Sequence, residues 1–232
     1  MTAAGGTLTA LVGLLTLRLT ITGSFQRYVQ PGMRPWLLVA GVALLALGLV
    51  TLVRALRSDS PEPADQHDDD HGHHHGVGVG WLLLVPMTML LLVAPPSLGS
   101  FGVDRSTPVR VTSGRSTLPP LDTSAGPVPM TLMEYVERWF DNDGRSLRGA
   151  TVELTGFVAG DDGSEGFRLA RYQIACCAAD AAAAVVHVVG AGSTPPRDRW
   201  ITVTGTFAEG DDEPVLAATA IEEITAPEDP YE

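Results

Sequence analysis

Two adjacent cysteines, Cys176 and Cys177, are the only thiols in this chain of 232 residues. They lie in the stretch ARYQIACCAADA, where Asp180 follows the second cysteine by three residues. Thiolates bind zinc and softer metal ions, and a carboxylate can supply an oxygen ligand to the same ion. Neighbouring side chains of an extended strand point to opposite faces, so the two sulfurs can share an ion only where the chain bends. We therefore expect a loop here that holds part of a metal site.

The remaining chemistry of this stretch has more than one interpretation. His187 is the only histidine in the C-terminal part of the chain, and it completes the metal site if its strand faces the cysteines. Arg171, close by in sequence, could instead lower the pKa of a thiol and favour redox chemistry. A disulfide between neighbouring residues would close a strained ring. Unreactive thiols buried in an alanine-rich core segment are the third interpretation.

A second set of metal-binding residue types lies in residues 58–76, which read SDSPEPADQHDDDHGHHHG. Five histidines stand here among acidic residues, with almost nothing apolar that could build a core. We predict that this loop binds Zn²⁺ or a similar divalent ion weakly and in several arrangements. A hydrated linker without a binding role is the alternative. The five candidate ligands are His67, His71, His73, His74 and His75.

Charge and motifs exclude two classes of function. The formal net charge is −12, with 27 acidic residues against 15 basic ones, all of them arginine. A nucleic-acid partner needs a basic face that displaces counterions from phosphates, so we expect none. The sequence contains neither a recognisable nucleophile with its base nor a glycine-rich phosphate loop, so we also expect that the protein is not an enzyme.

Three apolar stretches define the N-terminal region, residues 1–96. Residues 35–53 and 77–94 run for 19 and 18 residues without a charge. As helices they would match the hydrocarbon core of a bilayer, which is about 30 Å thick. Residues 7–24 contain Arg18, whose side chain could reach the lipid headgroups. We therefore predict three transmembrane helices in a lipid bilayer.

The C-terminal region, residues 130–232, predicts a helix and a small β-sheet. Residues 97–129 are rich in proline, serine and threonine and predict a tether. Residues 130–142 have the periodicity of an amphipathic helix, and Thr131 with Glu134 has the spacing of a capping box. Five strand-like stretches follow, which suits a five-stranded OB-like barrel. The predicted strands are residues 151–159, 167–174, 183–189, 200–208 and 215–224.

The predicted fold class is therefore membrane α plus β: three N-terminal transmembrane helices and a C-terminal small β-barrel (OB-like) domain preceded by an amphipathic helix. Arginines close to the predicted spans are divided two against two between the sides, so they leave the orientation open. The acidity of the C-terminal region and its tether favour an extracytoplasmic position.

Several pieces of the chain resemble the YcgQ-like family of bacterial membrane proteins, which are described as subunits of a two-part permease. These are TGSFQRYVQPGMRPWLL between the first two apolar stretches, the histidine-rich loop, PPSLGS, RYQIACCAADA and the final PEDPYE. The resemblance implies a multi-pass protein of the bacterial cell membrane. It also implies a separate multi-span YcgR-like permease as partner and a link to metal ions.

Residues and resemblance together predict an accessory membrane subunit of a permease, linked to the transport or homeostasis of a zinc-like ion. Cys176 and Cys177 would be ligands, and Asp180 would be a ligand or would orient them. The alternative is a membrane-anchored sensor or scaffold whose β domain binds a protein or a small ligand without transport.

Overall fold

The computed structural model describes residues 3–57, 89, 97–105, 118–160, 166–210 and 212–232. The chain divides into two compact units. The first unit contains residues 1–25 and 31–95, and the second contains residues 26–30 and 96–232. The short stretch Gln26–Gln30 therefore belongs to the C-terminal unit, although the chain on both sides of it belongs to the first.

Two helices, α1 (Ala3–Ile21) and α2 (Arg34–Arg57), form the described part of the first unit and pack closely together. Glycines allow this approach: a Cβ atom at Gly48 would overlap the backbone of Ala10. Small residues that bring backbones into contact are typical of paired membrane helices. The outer face of α2 exposes large apolar side chains, among them Trp36, which is 68% exposed.

The prediction of three transmembrane helices is wrong. Among the described residues, one helical segment is long enough and apolar enough to cross a membrane. It is Pro31–Arg57, which consists of α2 and the helical turn Pro31–Met33 before it. The first apolar stretch forms a shorter apolar helix, Gly5–Ile21, and Gly23 follows it with a φ of 78°. A left-handed glycine is a usual helix terminator, so the helix ends at Ile21 and not at residue 24, the predicted end of the span. The third predicted span, residues 77–94, lies outside the described residues except for Met89, which is helical. One such helix supports membrane association and does not show a multi-pass topology.

A closed five-stranded barrel forms the centre of the second unit. Strand β2 pairs antiparallel with both β3 and β5, and β4 pairs antiparallel with β3. Strand β6 joins β5 in antiparallel and β4 in parallel orientation, which closes the ring. Short β1 adds to β2 outside the ring. The strands are β1 (Val128–Met130), β2 (Thr151–Gly160), β3 (Phe167–Gln173), β4 (Ala182–Val189), β5 (Trp200–Ala208) and β6 (Val215–Glu223). The five predicted barrel strands are all present, whereas β1 was not predicted.

Alternation along the strands builds the barrel core. In β2, Val152 and Leu154 are fully buried between partly exposed neighbours. In β5, Ile201 and Val203 are buried, and Val203 pairs with Leu154. Successive side chains of a strand point to opposite faces of the sheet. This period of two therefore places a row of apolar side chains on the face of each strand that points into the barrel. The interior therefore consists of packed side chains.

A one-turn helix, α3 (Ser100–Val103), lies within the predicted tether and packs on the barrel. Val103 is buried, and the backbone N–H of Ser100 donates to a carboxylate oxygen of Asp198 at 2.7 Å.

Helix α4 (Leu132–Phe140) packs on the barrel as the amphipathic pattern predicted. The side chain of Thr131 accepts the N–H of Glu134 at 3.0 Å, so the predicted N-cap is confirmed. The hydroxyl of Tyr135 donates to the carbonyl of Val215 at 2.6 Å, and the indole N–H of Trp139 donates to the carbonyl of Ala208 at 3.2 Å. These bonds satisfy the polar atoms of two large buried side chains.

The segment 226–232 fastens α4 to β3. The carboxylate of Glu232 accepts the N–H groups of Leu132 at 2.9 Å and Met133 at 3.1 Å, at the start of α4. The guanidinium of Arg171 donates to the carbonyl of Tyr231 at 3.2 Å. Burial raises the pKa of Glu232, although the two N–H donors and the nearby guanidinium oppose this shift.

The Glu232→Ala substitution tests this fastening. We expect it to lower the free energy of unfolding by about 0.5–2 kcal/mol, because two helix N–H groups lose their acceptor. Urea denaturation of the full chain in detergent measures the change. Glu228→Ala removes an exposed carboxylate of the same segment and serves as the matched control. Equal stability of the two variants would contradict a capping role for Glu232.

Candidate metal site

The two cysteines lie in the loop between β3 and β4, residues 174–181, called the cysteine loop below. Ile174 anchors its start in the core, with 3% of its surface exposed. Two N–H groups of the loop, those of Ala175 at 3.0 Å and Cys176 at 2.9 Å, donate to the carboxylate of Asp180. The N–H of Cys177 donates to the same carboxylate at 3.4 Å. These bonds replace strand pairing and bend the chain where the sequence predicted a bend.

The bend brings three donor atoms together. The sulfurs of Cys176 and Cys177 and a carboxylate oxygen of Asp180 all lie within 4.8 Å of one another. Cys176 and Asp180 are exposed, and Cys177 is partly exposed. Within the part of the chain that the structure describes, this is the one cluster of three such donors. A possible metal-binding group therefore exists at the predicted position.

Hydrogen bonding sets the protonation state of this cluster when no ion is bound. The thiol of Cys176 donates to the carboxylate of Asp180, and this bond, with smaller contributions from Cys177 and burial, raises the pKa of Cys176 to about 12. The same bond is the main cause that lowers the pKa of Asp180, and the backbone N–H donors reinforce it. Near neutral pH the loop therefore holds a carboxylate beside a protonated thiol.

The guanidinium of Arg171 is engaged by the segment 226–232 and by Trp200. It donates to the carbonyls of Asp229 at 3.0 Å and Tyr231 at 3.2 Å, and it lies over the ring of Trp200. The pKa of Cys176 is raised rather than lowered, so the interpretation of Arg171 as an activating cation is wrong.

His187, the fourth ligand predicted for this cluster, is not brought to it. His187 pairs with Arg168 across β3 and β4, five residues along β4 from Ala182, which faces the last residue of β3. At about 3.3 Å per residue it lies about 16 Å further along the strand, so it does not complete the site. The five histidines of the 58–76 loop lie outside the described residues; they are His67, His71, His73, His74 and His75.

A stretch far away in sequence contacts the cysteine loop. Val29 faces Cys177 in an isolated antiparallel bridge. The N–H of Gln30 donates to the carbonyl of Cys176 at 3.1 Å, and the N–H of Ala178 donates to the carbonyl of Tyr28 at 2.7 Å. Sequence reasoning missed this contact. The stretch was singled out only as part of a family resemblance, and its residue types do not indicate a partner.

Two family profiles match the chain, the DUF1980 N-terminal domain over residues 6–106 and the DUF1980 C-terminal domain over residues 130–232. The chain carries both DUF1980 domains. DUF1980 is a family of bacterial proteins, and its C-terminal domain contains the barrel and the cysteine loop. The matches do not address the YcgQ-like name or a permease partner. No curated protein and no solved structure is a significant match.

The role of Asp180 in holding Cys176 protonated can be tested with Asp180→Asn in a Cys177→Ser background, where one thiol remains. A neutral amide withdraws the charge that favours the protonated thiol, so we expect the pKa of Cys176 to fall. The measurement is the rate of alkylation by iodoacetamide as a function of pH, whose midpoint should move to lower pH. Asp122→Asn, at an exposed site outside the loop, should leave the midpoint unchanged. A midpoint that stays in place or rises in Asp180→Asn would contradict the assigned hydrogen bond.

Proposed function

We propose that this DUF1980 protein is a membrane-associated accessory subunit of a permease and binds a zinc-like divalent ion at its cysteine loop. One observation carries the proposal: Cys176, Cys177 and Asp180 present two sulfurs and an oxygen within 4.8 Å of one another. An exposed loop makes this group accessible to an ion from solution.

Electrostatics favours a cation at this position. Negative charges on two sulfurs and a carboxylate at such short separations would repel one another, and the proton on Cys176 limits this repulsion in the ion-free loop. A divalent cation that displaces the thiol protons would attract all three groups. Zinc takes four ligands in most proteins, so three donors leave a position for water or for a ligand from a partner. An incomplete, exposed site suits an ion that is exchanged rather than stored.

A binding role fits the cluster better than a catalytic one. Nucleophilic catalysis by cysteine requires a thiolate, which enzymes obtain by lowering the pKa of the thiol. The pKa of Cys176 is shifted in the opposite direction. The loop is therefore suited to hold an ion that displaces protons from sulfur.

The permease partner is supported by two observations of different kinds. Helix Pro31–Arg57 is long enough and apolar enough to place the protein in the same bilayer as a transporter. The resemblance to the YcgQ-like family supplies the identity of the partner, a multi-span YcgR-like permease. In this proposal the permease moves the ion and the cysteine loop binds it nearby.

A membrane-anchored sensor is the second candidate. The exposure of Cys176 and Asp180 favours it, because an ion at an exposed loop is accessible to solvent and to another protein. A sensor would use the same ion site but would need no permease.

Ion binding can be measured with Co²⁺, which reports sulfur ligation through a charge-transfer band in the near ultraviolet. The full chain in detergent is titrated under reducing conditions, with the five loop histidines replaced by alanine to remove their binding. We expect one Co²⁺ per chain, and loss of the band in the double variant Cys176→Ser/Cys177→Ser. Because the thiol of Cys176 is protonated well above neutral pH, affinity should rise about tenfold per pH unit for each proton released.

His187→Ala is the matched control for this titration, since His187 lies away from the cysteines and its removal should leave binding unchanged. Uptake that is absent, or that persists in the double cysteine variant, would overturn the ion site.

The permease assignment is tested by gene deletion. If this protein and the permease act as one transporter, we expect the two single deletions to give the same sensitivity to zinc depletion or excess. The double deletion should be no more severe than either one. Growth across a zinc series measures this, with each gene restored from a plasmid as control. Unrelated phenotypes would reject the permease partnership and favour the sensor.

A further inference from the structure

We propose that the cysteine loop binds two partners at once, the ion and the stretch Tyr28–Gln30, and that each strengthens the binding of the other. This inference rests on the proposed ion site and adds its regulation. The stretch Gln26–Gln30 belongs to the same compact unit as the barrel, so its contacts with the loop are internal to that unit.

The contact between the loop and this stretch surrounds one of the two ligand residues. The hydrogen bond from the N–H of Gln30 to the carbonyl of Cys176 lies before Cys177, and that from the N–H of Ala178 to the carbonyl of Tyr28 lies after it. Cys177 itself faces Val29 between the two bonds. The backbone on both sides of Cys177 is therefore held by Tyr28–Gln30.

Asp180 holds the same backbone from within the loop. Its carboxylate accepts the N–H groups of Cys176 and Cys177, and its own N–H donates to the carbonyl of Cys177 at 3.0 Å. In Cys176 the N–H is bound by Asp180 and the carbonyl by Gln30. With these backbone groups engaged, the directions of the two Cα–Cβ bonds are restricted, which limits the positions that the two sulfurs can reach.

This arrangement predicts that binding of the ion and docking of Tyr28–Gln30 favour each other. An ion bound to both sulfurs needs the backbone conformation that Tyr28–Gln30 also stabilises, and a loop already ordered loses less entropy when the ion binds. Binding of the ion should therefore favour docking of the stretch. Linkage requires that docking raises the ion affinity by the same factor.

A separate hydrogen bond anchors Arg27, the residue just before Tyr28–Gln30. The hydroxyl of Tyr231 donates to the carbonyl of Arg27 at 2.6 Å, and the Tyr231 side chain is buried against the barrel. Release of Tyr28–Gln30 from the loop therefore leaves residue 27 attached to the barrel. Because residues 26–30 connect α1 to α2 along the chain, the coupling would pass the presence of an ion to the connection between two apolar helices.

Hydrogen exchange tests the coupling in the full chain in detergent, with the five loop histidines replaced by alanine and Zn²⁺ alone as the probe. The amides to follow are those of Gln30 and Ala178, the two donors of the contact. We expect Zn²⁺ to slow their exchange about tenfold, within the usual range for coupled sites. The double variant Cys176→Ser/Cys177→Ser should show no such effect.

The reciprocal measurement is the affinity for Zn²⁺ in Gln30→Pro, which lacks the N–H that donates to Cys176. We expect the affinity to fall by the same factor as the change in exchange. Gln30→Ala keeps the N–H and should bind as tightly as the parent chain. The exchange experiment uses the unaltered contact, so it decides the question even if Gln30→Pro does not fold.

The outcomes separate this inference from the proposed function. Zn²⁺ that binds through the cysteines without slowing exchange at Gln30 and Ala178 would overturn the coupling and leave the ion site intact. Absence of Zn²⁺ binding at the cysteines would overturn the proposed function and the coupling with it.

Discussion

The carboxylate of Asp180 is the group on which the candidate site depends. It accepts three successive backbone N–H groups and the thiol proton of Cys176. The three N–H bonds turn the chain after β3, and the thiol bond keeps one sulfur protonated. A single charged acceptor thus sets both the geometry of the loop and its state of protonation. Hydrogen bonds to an ionised group are stronger than neutral ones, which suits an exposed loop with few buried contacts.

The barrel supplies a rigid base for this loop. Strands β3 and β4 pair along their whole length up to Gln173 and Ala182, so the loop starts and ends at neighbouring points. Arg171 and Glu232 add to this base, because they fasten the segment 226–232 across β3 and the start of α4. Arg171 therefore has a structural role at β3.

Ion binding at this loop would be an exchange of protons for metal. In the ion-free loop the charge of the Asp180 carboxylate is balanced by hydrogen bonds, because it accepts the thiol proton of Cys176 and the backbone N–H groups. An ion must displace at least the proton of Cys176, which weakens binding at low pH and eases release. In the proposed function such a site is suited to transient binding, and in the proposed coupling its contact with Tyr28–Gln30 would give the bound state a structural consequence within the barrel unit.

The sequence by itself determined the local features: the amphipathic helix with its Thr131 cap, the five alternating strands, and a bend at the adjacent cysteines with Asp180 beside them. These follow from periodicity, capping and residue type, which act over a few residues. Apolar length alone over-predicted the membrane helices: among the described residues Pro31–Arg57 is the one helix long and apolar enough to cross a membrane, and the first apolar stretch forms the shorter apolar helix Gly5–Ile21.

Only the tertiary structure decided the contacts between distant parts of the chain. Three of them depend on how β3 and β4 are paired and placed in the barrel: the separation of His187 from the cysteines along β4, the engagement of Arg171 by residues 229–231 and the docking of Tyr28–Gln30. The docked stretch pairs through backbone N–H and carbonyl groups, which every residue except proline carries, so its side chains do not specify its partner.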